Sequence, residues 1–356
     1  MIIPELQPLR DAFDDLLGAR PGWSGALAAH HRGRLVAHLH GGPDYRSDSV
    51  QLIWSSSKGV AALAVAVLID EGRLDPETPV AEYWPEFAEG GKAGVTVRLL
   101  LSHQAGLSSV DGGFGLDDVI EHDRLAKRLA AQEPLWAPGT AHGYHALTFG
   151  TLVGELYRRV TGGTVGDWLR TEFPDLDVWF GLPESVEPRL VPLFTPIGFD
   201  PKSPVVHALL TRDTLTRQAY SADFGARVGN ERRLRAAEVL SVGGVASAKG
   251  LAGLYAACLD RLSPATLDLV AHPHASGHDL ILLQDTTYGL GFQVSNGTFG
   301  HDGLGGSLAF ADPAAELTFA FITNHMPVRG FADECTGPLV EVLRRCLSQP
   351  DGGVRR

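Results

Sequence analysis

At 356 residues the chain is long enough to bury a large core, as one domain or two closely joined ones. Its 44% hydrophobic and 20% charged residues are those of a globular protein, and a net charge of −12 without a basic cluster excludes nucleic acid or an anionic membrane surface as the main partner. The longest apolar run, Val60 to Ile69, is too short to span a bilayer, and Met1 to Leu6 lack the features of a signal peptide, so a cytoplasmic protein is expected. Cys258, Cys335 and Cys346 cannot all pair and lack metal-ligand spacing, which predicts buried thiols.

In chain order, Leu6, Leu9, Phe13, Leu16 and Leu17 have helical spacing over residues 5–18. Gly25 to His31 and Arg34 to His40 read as a hairpin turning at Arg32-Gly33. Its histidines, His30, His31, His38 and His40, divide between two faces of alternating strands, and no cysteine or carboxylate completes a metal site. A buried helix follows from the Ser55 region through Val60 to Ile69, and helices predominate to about residue 240. Thr96 caps a short one at Val97 to Ser102, and Leu147 to Val160 forms another, stopped by Gly162-Gly163. Residues 184–236 carry prolines and charges and read as irregular loops over a cleft, lining an acyl or alcohol pocket. A helix at Ala248 to Leu262 precedes strands at Tyr288 to Val294, Ser307 to Ala311 and Leu317 to Thr323, with turns at Asn296-Gly297 and Asp312-Pro313. A helix over Phe331 to Leu347 closes the chain. The expectation is an α+β fold: one antiparallel sheet built from both chain ends and flanked by helices, with an inserted, mainly helical lobe. The sheet part would comprise residues 1–50 and 240–356, the helical part 51–239, and a site would lie in the cleft between them.

Three stretches carry chemistry. Ser55 and Lys58 stand three apart where an apolar helix begins, and so share one helical face. Burial against Val60 to Leu63 disfavours the ammonium, and the positive end of the helix does the same while steadying an alkoxide. A neutral lysine beside a serine hydroxyl is an activated nucleophile, although the spacing also suits a capping serine and a snorkelling lysine. Ser56 and Ser57 point about 100° and 200° away on a helix. Tyr144 lies just before the Leu147 helix, where a phenol facing a cleft can relay protons or simply bury its ring. His142 and His145 flank it and invite a Ser–His reading. The third stretch, Phe299 to Ser307, is glycine-rich ahead of a strand. Glycines there let backbone N–H groups approach a ligand, as an oxyanion hole requires, or merely make a turn. It lacks the Gly-Lys-Ser/Thr of a phosphate loop.

Ser55-x-x-Lys58, then Pro138-Gly139-Thr140 leading to Tyr144, then His301-Asp302-Gly303 before a strand, resemble the serine β-lactamase and penicillin-binding superfamily. Leu100 to Leu107 and Ala309 to Pro313 look familiar as well, and the similarity runs from about residue 22 to 325. Within the superfamily the chain looks most like the class C-related, family VIII carboxylesterases. The resemblance implies Ser55 as nucleophile, Lys58 and Tyr144 as its proton-handling partners, and the N–H groups of Ser55 and Leu304 as the oxyanion hole. His145, His301, Asp302 and Gly303 would touch substrate, and no metal or organic cofactor is implied.

Two departures bear on substrate. Tyr144-His145-Ala146 replaces Tyr-x-Asn, removing an amide that would hold a substrate amide. His301-Asp302-Gly303 replaces Lys-Thr-Gly, exchanging a permanent cation for a group that is usually neutral. Both weaken recognition of an acylamino carboxylate, so a hydrolase of small or medium esters is expected. The alternatives are a β-lactamase or D-amino-acid peptidase, an acyltransferase, and a silent binding protein. The chain has no Gly-x-Ser-x-Gly elbow and no His-Glu-x-x-His segment, which disfavours an α/β-hydrolase and a zinc hydrolase.

Overall fold

A computed structural model describes residues 1–194, 202–221, 226–325 and 333–348. The expected hairpin forms from β1 (Gly25–His31) and β2 (Arg34–Gly41). Arg32 and Gly33 both take positive φ, 50° and 69°, which matches a two-residue turn to the strands' right-handed twist. Strand β1 then pairs antiparallel with β11 (Leu317–Thr323), Gly25 opposite Thr323 and His31 opposite Leu317. The two chain ends thus meet in the middle of one eight-stranded sheet of order β2-β1-β11-β10-β9-β8-β7-β6. Its other strands are β6 (Ala275–His278), β7 (Asp285–Tyr288), β8 (Gln293–Ser295), β9 (Thr298–Asp302) and β10 (Leu308–Asp312).

The two faces of this sheet carry different side chains because strand residues alternate. Leu27, Phe319 and Phe321 meet α1 (Gln7–Gly18) and the Asp333–Leu347 helix, with Leu9, Phe13, Leu339 and Leu343 closing that core. The opposite face has alanines in a row across three strands, Ala28 opposite Ala320 and Ala320 opposite Ala309. Small side chains there let the Ala248–Arg261 helix approach closely, and the Thr318 hydroxyl donates to its Ala252 carbonyl at 3.0 Å. Beside that helix, against β9, lies α2 (Ser56–Asp70), buried on every side from Ser56 to Leu68, as a helix apolar all round must be.

Several expectations needed correction. Tyr288 to Val294 is not one strand: Gly289 and Gly291 break it into β7 and β8, Gly291 at a φ of 83°. The glycine-rich stretch begins as strand β9 rather than as a turn, and the turn is confined to 303–307. Residues 184–236 hold short helices, Pro204–Leu210, Leu215–Tyr220 and Arg232–Ala236 among them, where irregular loops were expected. Parts of that region, and the start of the last helix at Phe331, lie outside the described residues. A second sheet of two-residue strands, β3 (Gln51–Leu52), β5 (Val245–Ala246) and β4 (Val178–Trp179), fixes the backbone just ahead of Ser55.

Candidate active site

Ser55 is the residue before α2, and the chain reaches it through Trp54 at a φ of 46°. A tryptophan in that left-handed region is strained, and the strain is held by Trp54 burial and by the Ile53 N–H bond to the Gly244 carbonyl at 2.9 Å. The three adjacent serines divide their work. The Ser56 hydroxyl is buried and donates to the His301 carbonyl at 3.1 Å, while buried Ser57 accepts from the Gly244 N–H at 2.9 Å. Ser55 alone of the three is part-exposed, and its Oγ lies 3.2 Å from Lys58 Nζ.

Lys58 is fully buried, and its Nζ also donates to the carbonyls of Ala146, at 2.7 Å, and Ser241, at 3.0 Å. Burial holds its pKa well below the ordinary lysine value, with the Asp302 carboxylate pulling weakly the other way. A neutral amine has two N–H groups for the two carbonyls and a lone pair left for Ser55. Burial, not the number of partners, favours this form, since an ammonium would serve all three oxygens as donors.

Tyr144 packs its ring beneath the same nitrogen, 4.7 Å from Lys58 Nζ to the ring centre. Burial raises the phenol pKa well above 10, Tyr220 adds to this, and a hydrogen bond with Ser55 opposes it. The phenol is thus protonated and in contact with the nucleophile. His103, with a φ of 62°, presents its ring edge-on to Tyr144 at 5.2 Å and accepts the His145 N–H at Nδ1, at 3.1 Å.

The strand side closes over Ser55 at Gly303. A Cβ on that residue would meet the Ser307 Oγ at 2.2 Å, the Ile53 carbonyl at 2.4 Å and the Ser55 nitrogen at 3.2 Å, so only glycine fits. The Ser307 hydroxyl donates to the Ile53 carbonyl at 2.7 Å, and the Gly303 N–H to the Ser307 carbonyl at 2.7 Å. This clamp seats Gly303, the residue before Leu304, against the Ser55 backbone. Neither the Ser55 N–H nor the Leu304 N–H is paired with another described residue.

The two histidines expected to touch substrate differ. His145 is fully buried; its Nε2 accepts from the Leu107 N–H at 3.0 Å and its Nδ1 donates to the Gly143 carbonyl at 2.7 Å. No ring atom remains for a substrate, so His145 is a bracket for the Tyr144 segment. His301 donates from Nδ1 to the Asp302 carbonyl at 2.6 Å, leaving Nε2 a bare lone pair 1% exposed, in a ring 5.8 Å from that of Tyr144. Burial, with Lys58 contributing, pushes the His301 pKa down to about 3, and burial pushes that of His145 to about 4. Asp302 exchanges two hydrogen bonds with Gln293, at 2.8 and 3.1 Å.

Ser241 was not anticipated. Its carbonyl holds Lys58, while its hydroxyl donates to the Leu147 carbonyl and accepts the Gly150 N–H, both at 2.6 Å. A Cβ at Gly150 would stand 2.4 Å from the Ser241 nitrogen. Gly150→Ala is therefore expected to cost about 1–3 kcal/mol of stability through overpacking, and to lower kcat by displacing the carbonyl that steers Lys58. Thermal unfolding and turnover of the purified variant check this; native values for both would show that Ser241 does not set the lysine.

One group among the described residues has metal-ligand proximity, His122, Asp123 and Glu155. Arg158 and Arg159 already pair with its carboxylates, and His122 bonds Glu155 at 3.1 Å, so the cluster is a surface ion-pair network.

Residues 9–339 match the protein family described as beta-lactamase. The chain is 33% identical over 347 residues to the esterase/beta-lactamase LipL of Mycobacterium tuberculosis, covering 88% of this chain and 80% of LipL. Among solved structures, EstA of Arthrobacter nitroguajacolicus Rue61a superposes with a TM-score of 0.90 at 36% identity, over 98% of both chains. A family VIII carboxylesterase does so with a TM-score of 0.88 at 31% identity, over 97% of this chain and 98% of its own.

Proposed function

The chain belongs to the β-lactamase family of serine hydrolases, and from that premise we propose that it is a carboxylesterase working through an acyl-enzyme on Ser55. The observation that carries the reading is the buried Lys58 amine, held by two carbonyls and turned toward the Ser55 hydroxyl.

In the first step the Ser55 Oγ attacks the ester carbonyl carbon and its proton passes to Lys58 Nζ. The carbonyl oxygen becomes an oxyanion facing the N–H groups of Ser55 and Leu304, dipoles already oriented for it. Collapse breaks the bond to the alcohol, which leaves with a proton delivered through the Tyr144 hydroxyl from Lys58. Water then attacks the acyl carbon and gives a proton to the regenerated amine; collapse breaks the bond to Ser55 Oγ, which takes that proton back from Lys58, and the acid is released. The cleft lies between the sheet part, residues 1–50 and 240–356, and the helical part, residues 51–239. The first part supplies His301 to Leu304 and the Ser241 carbonyl; the second supplies Ser55, Lys58 and Tyr144.

Esters are favoured over β-lactams because Ala146 offers no side-chain amide and His301 carries no charge at neutral pH. A missing charge-assisted contact costs about 1.5–3 kcal/mol, roughly ten- to a hundredfold in rate. Asp302 adds a carboxylate, which does not attract a substrate acid. The similarity to a family VIII carboxylesterase supports this choice, while LipL is named for both activities. A small-molecule enzyme without nucleic-acid or membrane partners fits the net charge of −12, and among the described residues no helix is long and apolar enough to cross a membrane. The buried thiol of Cys258 fits a reducing compartment, the cytoplasm.

A fluorophosphonate probe followed by peptide mapping tests the site: label is expected on Ser55 and is lost in Ser55→Ala. Comparing kcat/KM for p-nitrophenyl butyrate and nitrocefin tests the substrate class, and a clear preference for nitrocefin would overturn the esterase reading.

A further inference from the structure

Asp279 sits in the turn after β6, with no atom exposed, and no part of the proposed reaction uses it. Its carboxylate accepts five hydrogen bonds. At Oδ1 these come from the N–H groups of Tyr144 (3.1 Å), Ile281 (2.8 Å) and Leu282 (2.9 Å). At Oδ2 they come from the Thr286 and Tyr288 hydroxyls, both at 3.2 Å. A carboxylate has no proton to place and can accept from both sides at once, as five converging donors require.

The bonds to Ile281 and Leu282 close the turn, as any turn aspartate does. The other contacts lead to the active site. Tyr144 and Asp279 are 135 residues apart, and the bond between them fixes the backbone of the catalytic phenol directly. The Tyr288 ring, held by its hydroxyl on Oδ2, lies parallel to the Tyr144 ring, 8° between planes and 6.2 Å between centres. The same turn grips the neighbouring residues: the Leu280 N–H donates to the His142 carbonyl at 3.1 Å. His142 Nε2 in turn lies 2.9 Å from the Thr286 hydroxyl that Asp279 holds. A Cβ on Gly143 would touch Ile281 at 3.0 Å, so the two segments are packed as well as bonded.

We propose that Asp279 is a positioning residue for the reaction, setting from two directions where the Tyr144 hydroxyl stands relative to Ser55. Its backbone bond fixes the base of the tyrosine, and its bond to Tyr288 fixes the wall against which the ring rests. A shift of about 1 Å in a catalytic group costs on the order of a hundredfold in rate, and such a shift is what a loose Tyr144 segment would allow.

The inference rests on the proposed role of Tyr144 in ester hydrolysis, and a double-mutant cycle separates the two. Turnover of p-nitrophenyl butyrate is measured for the native protein, Asp279→Ala, Asp279→Asn, Tyr144→Phe and the doubles. Asp279→Ala should lower kcat about a hundredfold with KM changed less than about twofold. Asp279→Asn keeps an acceptor for the three N–H groups and should recover to within about tenfold of native. In the Tyr144→Phe background each substitution should change kcat by less than about twofold, because the hydroxyl it positions is already gone. If Asp279→Ala does not fold, Asp279→Asn carries the cycle, with a loss of about three- to tenfold in the native background and none in the other. Native kcat in a folded Asp279 variant, a loss carried by KM, or equal losses in both backgrounds would overturn the proposal. A native protein that neither turns over the ester nor labels at Ser55 would instead sink the esterase reading.

Discussion

Lys58→Arg is expected to be about as inactive as Lys58→Ala, with kcat/KM for p-nitrophenyl butyrate lowered about a thousandfold. The reason lies in proton counting at Nζ. Two N–H groups serve the Ala146 and Ser241 carbonyls, and the third direction meets the Ser55 Oγ at 3.2 Å. Only a lone pair in that direction can take the serine proton. Arginine keeps the positive charge but cannot give up a proton in a protein, and its planar head does not fit a slot shaped for an amine. An arginine variant within tenfold of native would make the lysine an electrostatic aid and not a base. The same assignment sets the pH profile. The neutral amine is the active form, so kcat/KM falls as pH falls through the depressed Lys58 pKa. His301→Gln should leave that acid limb in place, because the imidazole stays neutral down to about 3.

Stability should drop steeply on mild acidification, between pH 6.5 and about 4. His301 and His145 are held neutral in the folded state, to about 3 and about 4, whereas in the unfolded chain each titrates near 6.5. Between those values the unfolded state binds more protons, so lowering the pH favours unfolding. Well below pH 6.5 each imidazole costs about 1.4 kcal/mol per pH unit, or about 1.6 kcal/mol on going from pH 6.5 to 5, because the slope starts at half its full value. The pair together removes about 3 kcal/mol, a large share of a typical stability of about 5–15 kcal/mol. Buried His103, also lowered well below 6.5 by burial, acts in the same direction. Urea midpoints at pH 7.5, 6.5 and 5 check this, and midpoints that do not move would mean that these rings are charged in the native protein.

What the sequence disclosed and what it hid divide along a physical line. The Ser55–Lys58 spacing and the Arg32-Gly33 and Asn296-Gly297 turns follow from local rules, and the joining of both chain ends in one sheet from the order of strands, helices and strands along the chain. The groups that steer Lys58 are backbone carbonyls 88 and 183 residues away, and a carbonyl leaves no mark on residue identity. Strands as short as Gln51–Leu52 and Val245–Ala246 are below the length at which alternation can be read. The family resemblance implies a substrate contact for His145, the middle residue of Tyr144-His145-Ala146. In an irregular stretch adjacency says nothing about direction, and its ring turned inward to meet Leu107 and Gly143. Asp279 gave no signal, since its five donors come from residues scattered between 144 and 288.

The pairing of β1 with β11 has a consequence for synthesis. Gly25 leaves the ribosome almost 300 residues before its partner Thr323, a wait of roughly 15–60 s at about 5–20 residues per second. Until then β1 has only β2 beside it, and the row of alanines that seats the Ala248–Arg261 helix is incomplete. The two N–H groups proposed for the oxyanion belong to residues 55 and 304, so they too cannot meet before the last strands emerge. A nascent chain thus carries its serine and lysine for most of its growth without the clamp at Gly303, and hydrolytic competence arrives late, together with closure of the sheet.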